Sequence, residues 1–216
     1  MAAEQNEARA PAPLIYLIED DESVRDALAW TLRHVDAEIK AYSRPSELLS
    51  IQPTSVPGCL LVDFRLPEMD GLSLLKELRD RGWELPFIVI SGCGDISVAV
   101  TAMRLGAIDF MEKPIDEEVI CRLVQDALEN DRERLALSNY HEVIAARLAS
   151  LTKRELDVLE GVLAGRLNKQ IAVELEIKVK TVETHRANLT RKLQVESVAQ
   201  LVQMVIEHRQ FCQKKA

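Results

Sequence analysis

The sequence predicts an α/β domain built on a five-stranded, doubly wound parallel sheet, followed by a small all-α domain. Three observations carry this. Short apolar runs alternate with segments of helical period from Leu14 to about residue 116, the pattern of strands joined by crossover helices. Residues 151–210 hold no such run and read as four short amphipathic helices. The charge changes with the pattern: residues 1–116 carry 11 Lys and Arg against 20 Asp and Glu, residues 117–150 carry 4 against 7, and residues 151–216 carry 12 against 8. A basic final third on a chain of net charge −8 suggests two domains, one of which can meet a polyanion.

Residues 1–13 are Ala-, Pro- and Glu-rich without an apolar centre, so a disordered tail is expected there rather than a signal peptide. No stretch approaches the ~20 apolar residues of a membrane span. Cys59, Cys93, Cys121 and Cys212 show neither CxxC nor metal spacing, as suits a reducing, cytoplasmic setting. Leu14–Ile18 is an apolar pentad that ends in Glu19-Asp20-Asp21-Glu22. A helix is expected over Ser23–Val35, with Val24, Ala27, Leu28, Leu32 and Val35 on one face. Glu38–Tyr42 reads as a short strand and Pro45–Leu49 as the start of the next helix. Leu60-Leu61-Val62 has no polar break, as in a strand buried on both faces, and stops abruptly at Asp63. Pro67 and Gly71 mark a loop before a helix over Leu72–Arg81. Phe87–Ser91 is the next strand, Ile96–Leu105 a helix stopped by Gly106, and Ile108–Met111 the last strand before Lys113-Pro114.

In such sheets ligands bind at the carboxyl ends of the strands. Those ends carry Glu19 and Asp20, then Asp63, Ser91 and Lys113. Three acids brought together repel unless a cation sits among them, and an all-oxygen site with open positions suits Mg²⁺. A carboxylate there can attack phosphorus, and Asp63, on the central strand, is the best candidate nucleophile. Lys113 can neutralise a ligand oxygen, and Ser91 can donate to a new phosphoryl oxygen. Unrelated strand-end caps are the less economical account of five such groups. Gly92-Cys93-Gly94 lies where a dinucleotide-binding turn would, but Ser97 stands in place of the third Gly.

The set Glu19-Asp20, Asp63 with Leu66-Pro67 and Asp70-Gly71, Ser91-Gly92, and Lys113-Pro114 resembles the receiver domain of bacterial response regulators, over residues 14–130. The resemblance implies a flavodoxin-like strand order 2-1-3-4-5 and phosphoryl transfer from the phosphohistidine of a sensor histidine kinase to Asp63. It implies Mg²⁺ on Asp20, Asp63 and the Arg65 carbonyl, with Glu19 reached through water. Ser91 and Lys113 would contact the phosphoryl group, Phe110 would be the aromatic switch, and Pro114 would follow a cis peptide. Ser91 replaces a commoner Thr, which keeps the chemistry; Cys93 stands where close relatives have His, with no assigned consequence.

From Ile115 to Glu160 there is neither Gly nor Pro, which permits long helices. A packing face of Val119, Ile120, Leu123, Val124, Ala127 and Leu128 fades through Glu129–Arg134. A last receiver helix and a solvated helical linker over 131–149 are therefore expected, in preference to a helix that pairs with its copy. Beyond it, Thr152 and Glu155 form a capping-box pattern that opens a helix over Lys153–Ala164. Asn168 is expected to cap a short helix over Lys169–Leu175, with Ile171, Ala172 and Leu175 inward. A second helix over Thr181–Leu193 directs Val182, Leu189 and Leu193 inward and offers Thr184, Arg186, Ala187, Asn188 and Arg191 outward. This is a helix-turn-helix pattern. A final helix over Val198–Glu207 presents Leu201, Val202, Val205 and Ile206 for packing.

Leu151-Thr-Lys-Arg-Glu155, Gly165, Asn168-Lys169, Ile171-Ala172, Thr181-Val-Glu-Thr-His185 and Lys192-Leu193 resemble the LuxR-type helix-turn-helix, over residues 150–212. Together the two parts resemble the FixJ/NarL class, nearer the FixJ branch. Lys178 departs from the Ser or Asp of relatives and cannot cap the second helix, at a cost of about 1 kcal/mol. Lys169, Lys180, Thr181 and Lys192 are expected to position on phosphates, with Glu183, Thr184, Arg186 and Ala187 as base readers and Arg191 beside them. The expected protein is a phosphorylation-dependent transcription factor rather than an enzyme, modified stoichiometrically. Its expected partners are a sensor kinase, double-stranded promoter DNA, RNA polymerase and a second copy docked through Val98, Met103 and Met111. Two rivals are an α/β enzyme using the same sheet edge and a phospho-gated protein-interaction adaptor that does not bind DNA.

Overall fold

A computed structural model of the chain describes residues 11–92 and 96–215. Residues 1–10 of the expected tail, and Cys93, Gly94 and Asp95, lie outside the described residues. Five strands, β1 (Leu14–Ile18), β2 (Glu38–Tyr42), β3 (Gly58–Asp63), β4 (Phe87–Ser91) and β5 (Asp109–Glu112), pair in parallel in the order β2-β1-β3-β4-β5. That is the order the receiver resemblance implies. Every residue of β1, β3 and β4 is buried, which is why these three read as unbroken apolar runs. The edge strands β2 and β5 are only partly covered.

Strand alternation builds two cores. Tyr16, Ile18, Leu60, Val62, Phe87 and Val89 point to one face, against Leu48 of α2 (Pro45–Leu49), Leu74, Leu75 and Leu78 of α3 (Gly71–Asp80), and Ala102 of α4 (Ile96–Arg104). Ile15, Leu17, Cys59, Leu61, Ile88 and Ile90 point to the other. There they meet Leu28 of α1 (Glu22–Thr31) and Ile120, Val124, Ala127 and Leu128 of α5 (Glu117–Ala149). Helix α1 is shorter than expected: a 3₁₀ turn, Leu32–His34, follows Thr31 and leaves Val35 extended. The tighter turn still buries Leu32 and Val35.

Gly71 sits where α3 passes the end of β3. A Cβ there would lie 2.6 Å from the Asp63 carbonyl oxygen and 3.2 Å from Phe64 Cα, backbone atoms that cannot turn aside. Gly71→Ala is expected to destabilise this domain by about 1–2 kcal/mol. A urea midpoint equal to that of the parent protein would refute this.

The chain divides into two compact units after Leu135, and α5 contributes to each. Asp131, expected in a solvated linker, is instead fully buried in the first unit. Its carboxylate accepts the Gly58 N–H at 2.8 Å and a bond from Arg134 Nε at 2.8 Å, so burial is compensated at the start of β3. In the second unit Ile144 of α5 joins the core made by α6 (Lys153–Leu163), α7 (Asn168–Glu174), α8 (Val179–Leu193) and α9 (Val198–Lys215). The Thr152–Glu155 capping box is present in full.

Three local expectations change here. Asn168 is the first residue of α7 rather than its cap, because Gln170 Oε1 accepts the Leu167 N–H at 2.8 Å and starts the helix one residue earlier. Helix α8 starts at Val179 with Lys178 as an N-cap whose side chain makes no capping bond. On α9, which runs past Glu207, Met204 is buried with Leu201 and Val205, whereas Ile206 is exposed. Met204 lies three residues from Leu201, on the face that packs, and Ile206 falls off that face.

Candidate functional site

The parallel order gathers the carboxyl ends of β1, β3, β4 and β5 at one edge of the sheet. Glu19 follows β1, Asp63 ends β3, Ser91 ends β4 and Lys113 follows β5; Glu19, Asp63 and Ser91 are buried, and Asp20 is exposed. Lys113 Nζ lies 2.7 Å from Glu19 Oε2 and 2.6 Å from Asp63 Oδ1. Asp63 Oδ2 accepts the Arg65 N–H at 2.6 Å. Ligand oxygens of Glu19, Asp20 and Asp63 all lie within 4.8 Å of one another. Three carboxylates facing one ammonium leave uncompensated negative charge, and hard oxygen donors of this kind fit a small divalent cation.

The electrostatics show the same tension. Burial pushes the Glu19 carboxyl above its ordinary range, opposed by the hydrogen bond from Lys113 and helped by the charge of Asp63. Burial alone would depress Lys113. Its hydrogen bonds to Asp63 and Glu19, with the attraction of both charges, prevail and hold the ammonium above its usual value. Lys113 therefore stays charged at neutral pH. Its backbone N–H donates to the Ser91 carbonyl at 2.8 Å, and the Lys113–Pro114 peptide is cis, as the resemblance implied. Phe110 of β5 is partly buried, packed on the same core as Val98 and Leu105. A further cation escaped the sequence reading: Arg25 Nη1 donates to the Glu19 carbonyl at 2.9 Å and lies 3.4 Å from that of Asp20. Carbonyl acceptors leave no mark in a sequence.

In the second unit, α7 and α8 are joined by a short turn with Glu176 at φ 55°. Lys169, Lys180, Glu183, Thr184, Ala187 and Arg191 are exposed, and Thr181, Arg186 and Lys192 are partly buried. Lys180 Nζ pairs with Glu183 at 3.2 Å, and Arg191 donates to Asn188 Oδ1 at 3.0 Å. Two further residues expected on DNA are held by protein groups outside α8. Arg186 Nη1 donates to Asn168 Oδ1 at 2.8 Å, tying α8 to α7. Lys192 Nζ pairs with buried Glu155 at 2.7 Å and donates to the Ser150 carbonyl at 3.1 Å. The pairing holds the Glu155 carboxyl at about 2, with the Thr152 N–H as the next cause. Arg147 adds a clamp at the same carboxyl end of α8, donating to the Leu193 carbonyl at 3.2 Å.

Two families match the chain: the response regulator receiver domain over residues 15–125, and the luxR family of bacterial regulatory proteins over residues 149–205. Transcriptional regulatory protein FixJ of Bradyrhizobium diazoefficiens is 35% identical over 192 residues, which cover 89% of this chain and 94% of FixJ. The chain is a response regulator of the FixJ/NarL class. Response regulator protein TodT of Pseudomonas putida is 39% identical to this regulator over 193 residues, 89% of this chain and 85% of TodT. The solved structure of response regulator StyR matches with a TM-score of 0.84 at 35% identity, covering 91% of this chain and 99% of that one. The regulator thus combines a receiver with a LuxR-type DNA-binding domain in a two-component system, and regulates transcription. Its family implies a kinase and DNA as partners. Among the described residues no helix is long and apolar enough to cross a membrane.

Proposed function

We propose that Asp63 accepts a phosphoryl group from the phosphohistidine of a sensor kinase and that this modification controls binding of α8 to promoter DNA. The observation that carries the reading is the Lys113 ammonium bridging Glu19 and Asp63 in a three-carboxylate pocket at the strand ends. An Asp63 carboxylate oxygen attacks phosphorus, the phosphorus–oxygen bond forms, and the phosphorus–nitrogen bond breaks with its electron pair returning to the imidazole. Asp20, Asp63 and the Arg65 carbonyl would hold Mg²⁺, with Glu19 reached through water. When bound, the ion would shield the arriving anion from the carboxylates. Lys113 supplies the second positive charge, and Ser91, buried at the end of β4, donates to a phosphoryl oxygen. The protein is modified once per chain, with slow hydrolysis of the acyl phosphate as its only turnover.

Phosphorylation would draw Ser91 inward and reposition Phe110, which packs beside α4. The α4–β5 face, where Met103 is 50% exposed, would then bind a second copy. Two α8 helices would enter successive major grooves of a near-palindromic site and recruit RNA polymerase. Lys169, Lys180 and Thr181 would meet phosphates, while Glu183, Thr184 and Ala187 read bases with Arg191 beside them. Arg186 reaches DNA only by leaving Asn168, and Lys192 serves chiefly to hold α8 in place.

The test is a gel shift on selected genomic fragments and on random-sequence DNA at low salt, with and without a phosphodonor and Mg²⁺. The expected result is weak, salt-sensitive binding to any DNA and at least tenfold tighter binding to a selected site after phosphorylation. No DNA binding even at low salt would overturn the reading in favour of a phospho-gated protein-interaction adaptor.

A further inference from the structure

The carboxyl-terminal stretch of α9 carries a cluster that the functions above leave unused. His208 and Cys212 are four residues apart on this helix and so share a face. Cys212 Sγ lies 3.7 Å from His208 Nε2. The opposite ring nitrogen, His208 Nδ1, lies 3.3 Å from His141 Nδ1 on α5. His141 is 6% exposed and stacked on Phe211, with ring centroids 3.9 Å apart, and it meets the edge of Tyr140. Cys212 is exposed and not in a disulfide. All of these residues belong to the second compact unit.

We infer that His208 Nε2 and Cys212 Sγ form a chelating pair for a borderline-soft divalent cation such as zinc, with His141 as the positioning residue behind it. Around a tetrahedral zinc ion the nitrogen–sulfur edge is about 3.5 Å, given metal–nitrogen and metal–sulfur bonds of about 2.0 and 2.3 Å. The observed 3.7 Å separation meets that edge without moving the helix. A histidine that binds metal through one nitrogen donates its other N–H to an acceptor, which fixes the tautomer and the ring plane. His141 Nδ1 stands where that acceptor belongs, and its own ring is held by stacking. On binding, the Cys212 thiol releases its proton to solvent.

The pair differs in kind from the acidic pocket of the receiver. Among the described residues, Glu19, Asp20 and Asp63 are the group that brings three possible ligands together. The α9 site offers two, one of them sulfur, and its solvent side leaves further positions to water or to another donor. Sulfur selects against Mg²⁺.

Titration of the full-length protein with cobalt(II) tests this, read by the near-ultraviolet charge-transfer band that only a thiolate ligand gives. The expected result is a band that saturates at one cobalt per chain and disappears in Cys212→Ser. The same band should need at least tenfold more cobalt in His208→Gln, and about tenfold more in His141→Phe, the usual scale for loss of such a support. Addition of zinc should displace it, and far-ultraviolet circular dichroism should show the same helix content in all four proteins. A parent protein without the band, or a Cys212→Ser protein that keeps it, would overturn the inference. Equal affinity in His208→Gln and the parent would do so as well, because Cys212 would then be acting without its chelating partner.

Discussion

Asp63→Asn protein should take up no label from a phosphodonor and should lose the whole donor-dependent gain in DNA affinity, at least tenfold at a selected site. The reason is chemical before it is structural. An amide lacks the anionic oxygen that attacks phosphorus, and at this position it also removes the charge that Lys113 approaches to 2.6 Å. Asp20 and Glu19 do not offer a substitute. Asp20 is exposed and follows β1 rather than ending the central β3, and burial disfavours the charged form of the Glu19 carboxyl. The measurement is paired: acid-stable protein counted for label, and a gel shift with and without donor. Full donor response in the variant would place the acceptor elsewhere and remove the basis for the proposed control.

Lys192→Met should destabilise the second domain markedly. It leaves the Glu155 carboxylate buried without its ammonium, a situation that costs about 3–5 kcal/mol when nothing else compensates. Here Thr152 still donates from its N–H at 2.8 Å and its hydroxyl at 2.9 Å, and Lys192 is partly exposed, so a loss of about 2 kcal/mol is expected. In a small domain that is a large share of the total stability. The pH profile identifies the cause. Glu155 has its carboxyl lowered from 4.5 to about 2, so its contribution is fully present above pH 4.5 and is lost as the pH falls towards 2. The parent should lose stability across that window, and the variant should lose clearly less there because the pair is already broken. Equal acid slopes for the two proteins would show that the pair contributes nothing.

Much of the receiver is legible in the sequence, and the reason is burial. Strands covered on both faces leave unbroken apolar runs, and a parallel sheet sends the residues after those runs to one edge. Glu19, Asp63, Ser91 and Lys113 are found by that rule before any resemblance is invoked. The edge strand β5 starts one residue later than expected because Ile108 is at the border of a half-covered element. Asp131 is misread for a different reason. An acid in a polar run looks like a solvated face until its acceptor role at Gly58, 73 positions away in the chain, is seen. The second domain is harder at the level of single side chains. Periodicity assigns Val182, Leu189 and Leu193 to the core correctly, but it cannot tell a cation aimed at a phosphate from one aimed at a buried carboxylate. Lys192 is the second kind, and Arg186 is held by an amide of the neighbouring helix. Asn168 looks like a cap in sequence because its amide is the right size for one; that amide faces Arg186 instead.

The Lys113 ammonium has one more property, which comes from counting hydrogens. A lysine carries three N–H bonds and accepts none. Two of them are directed at Glu19 and Asp63. One remains. The side chain can therefore hold both resident acids and still receive a single oxygen from a guest. A second guest oxygen would have to displace Glu19 or Asp63. The valence of one nitrogen thus sets what Lys113 itself can hold: two acids that stay and one oxygen that comes and goes.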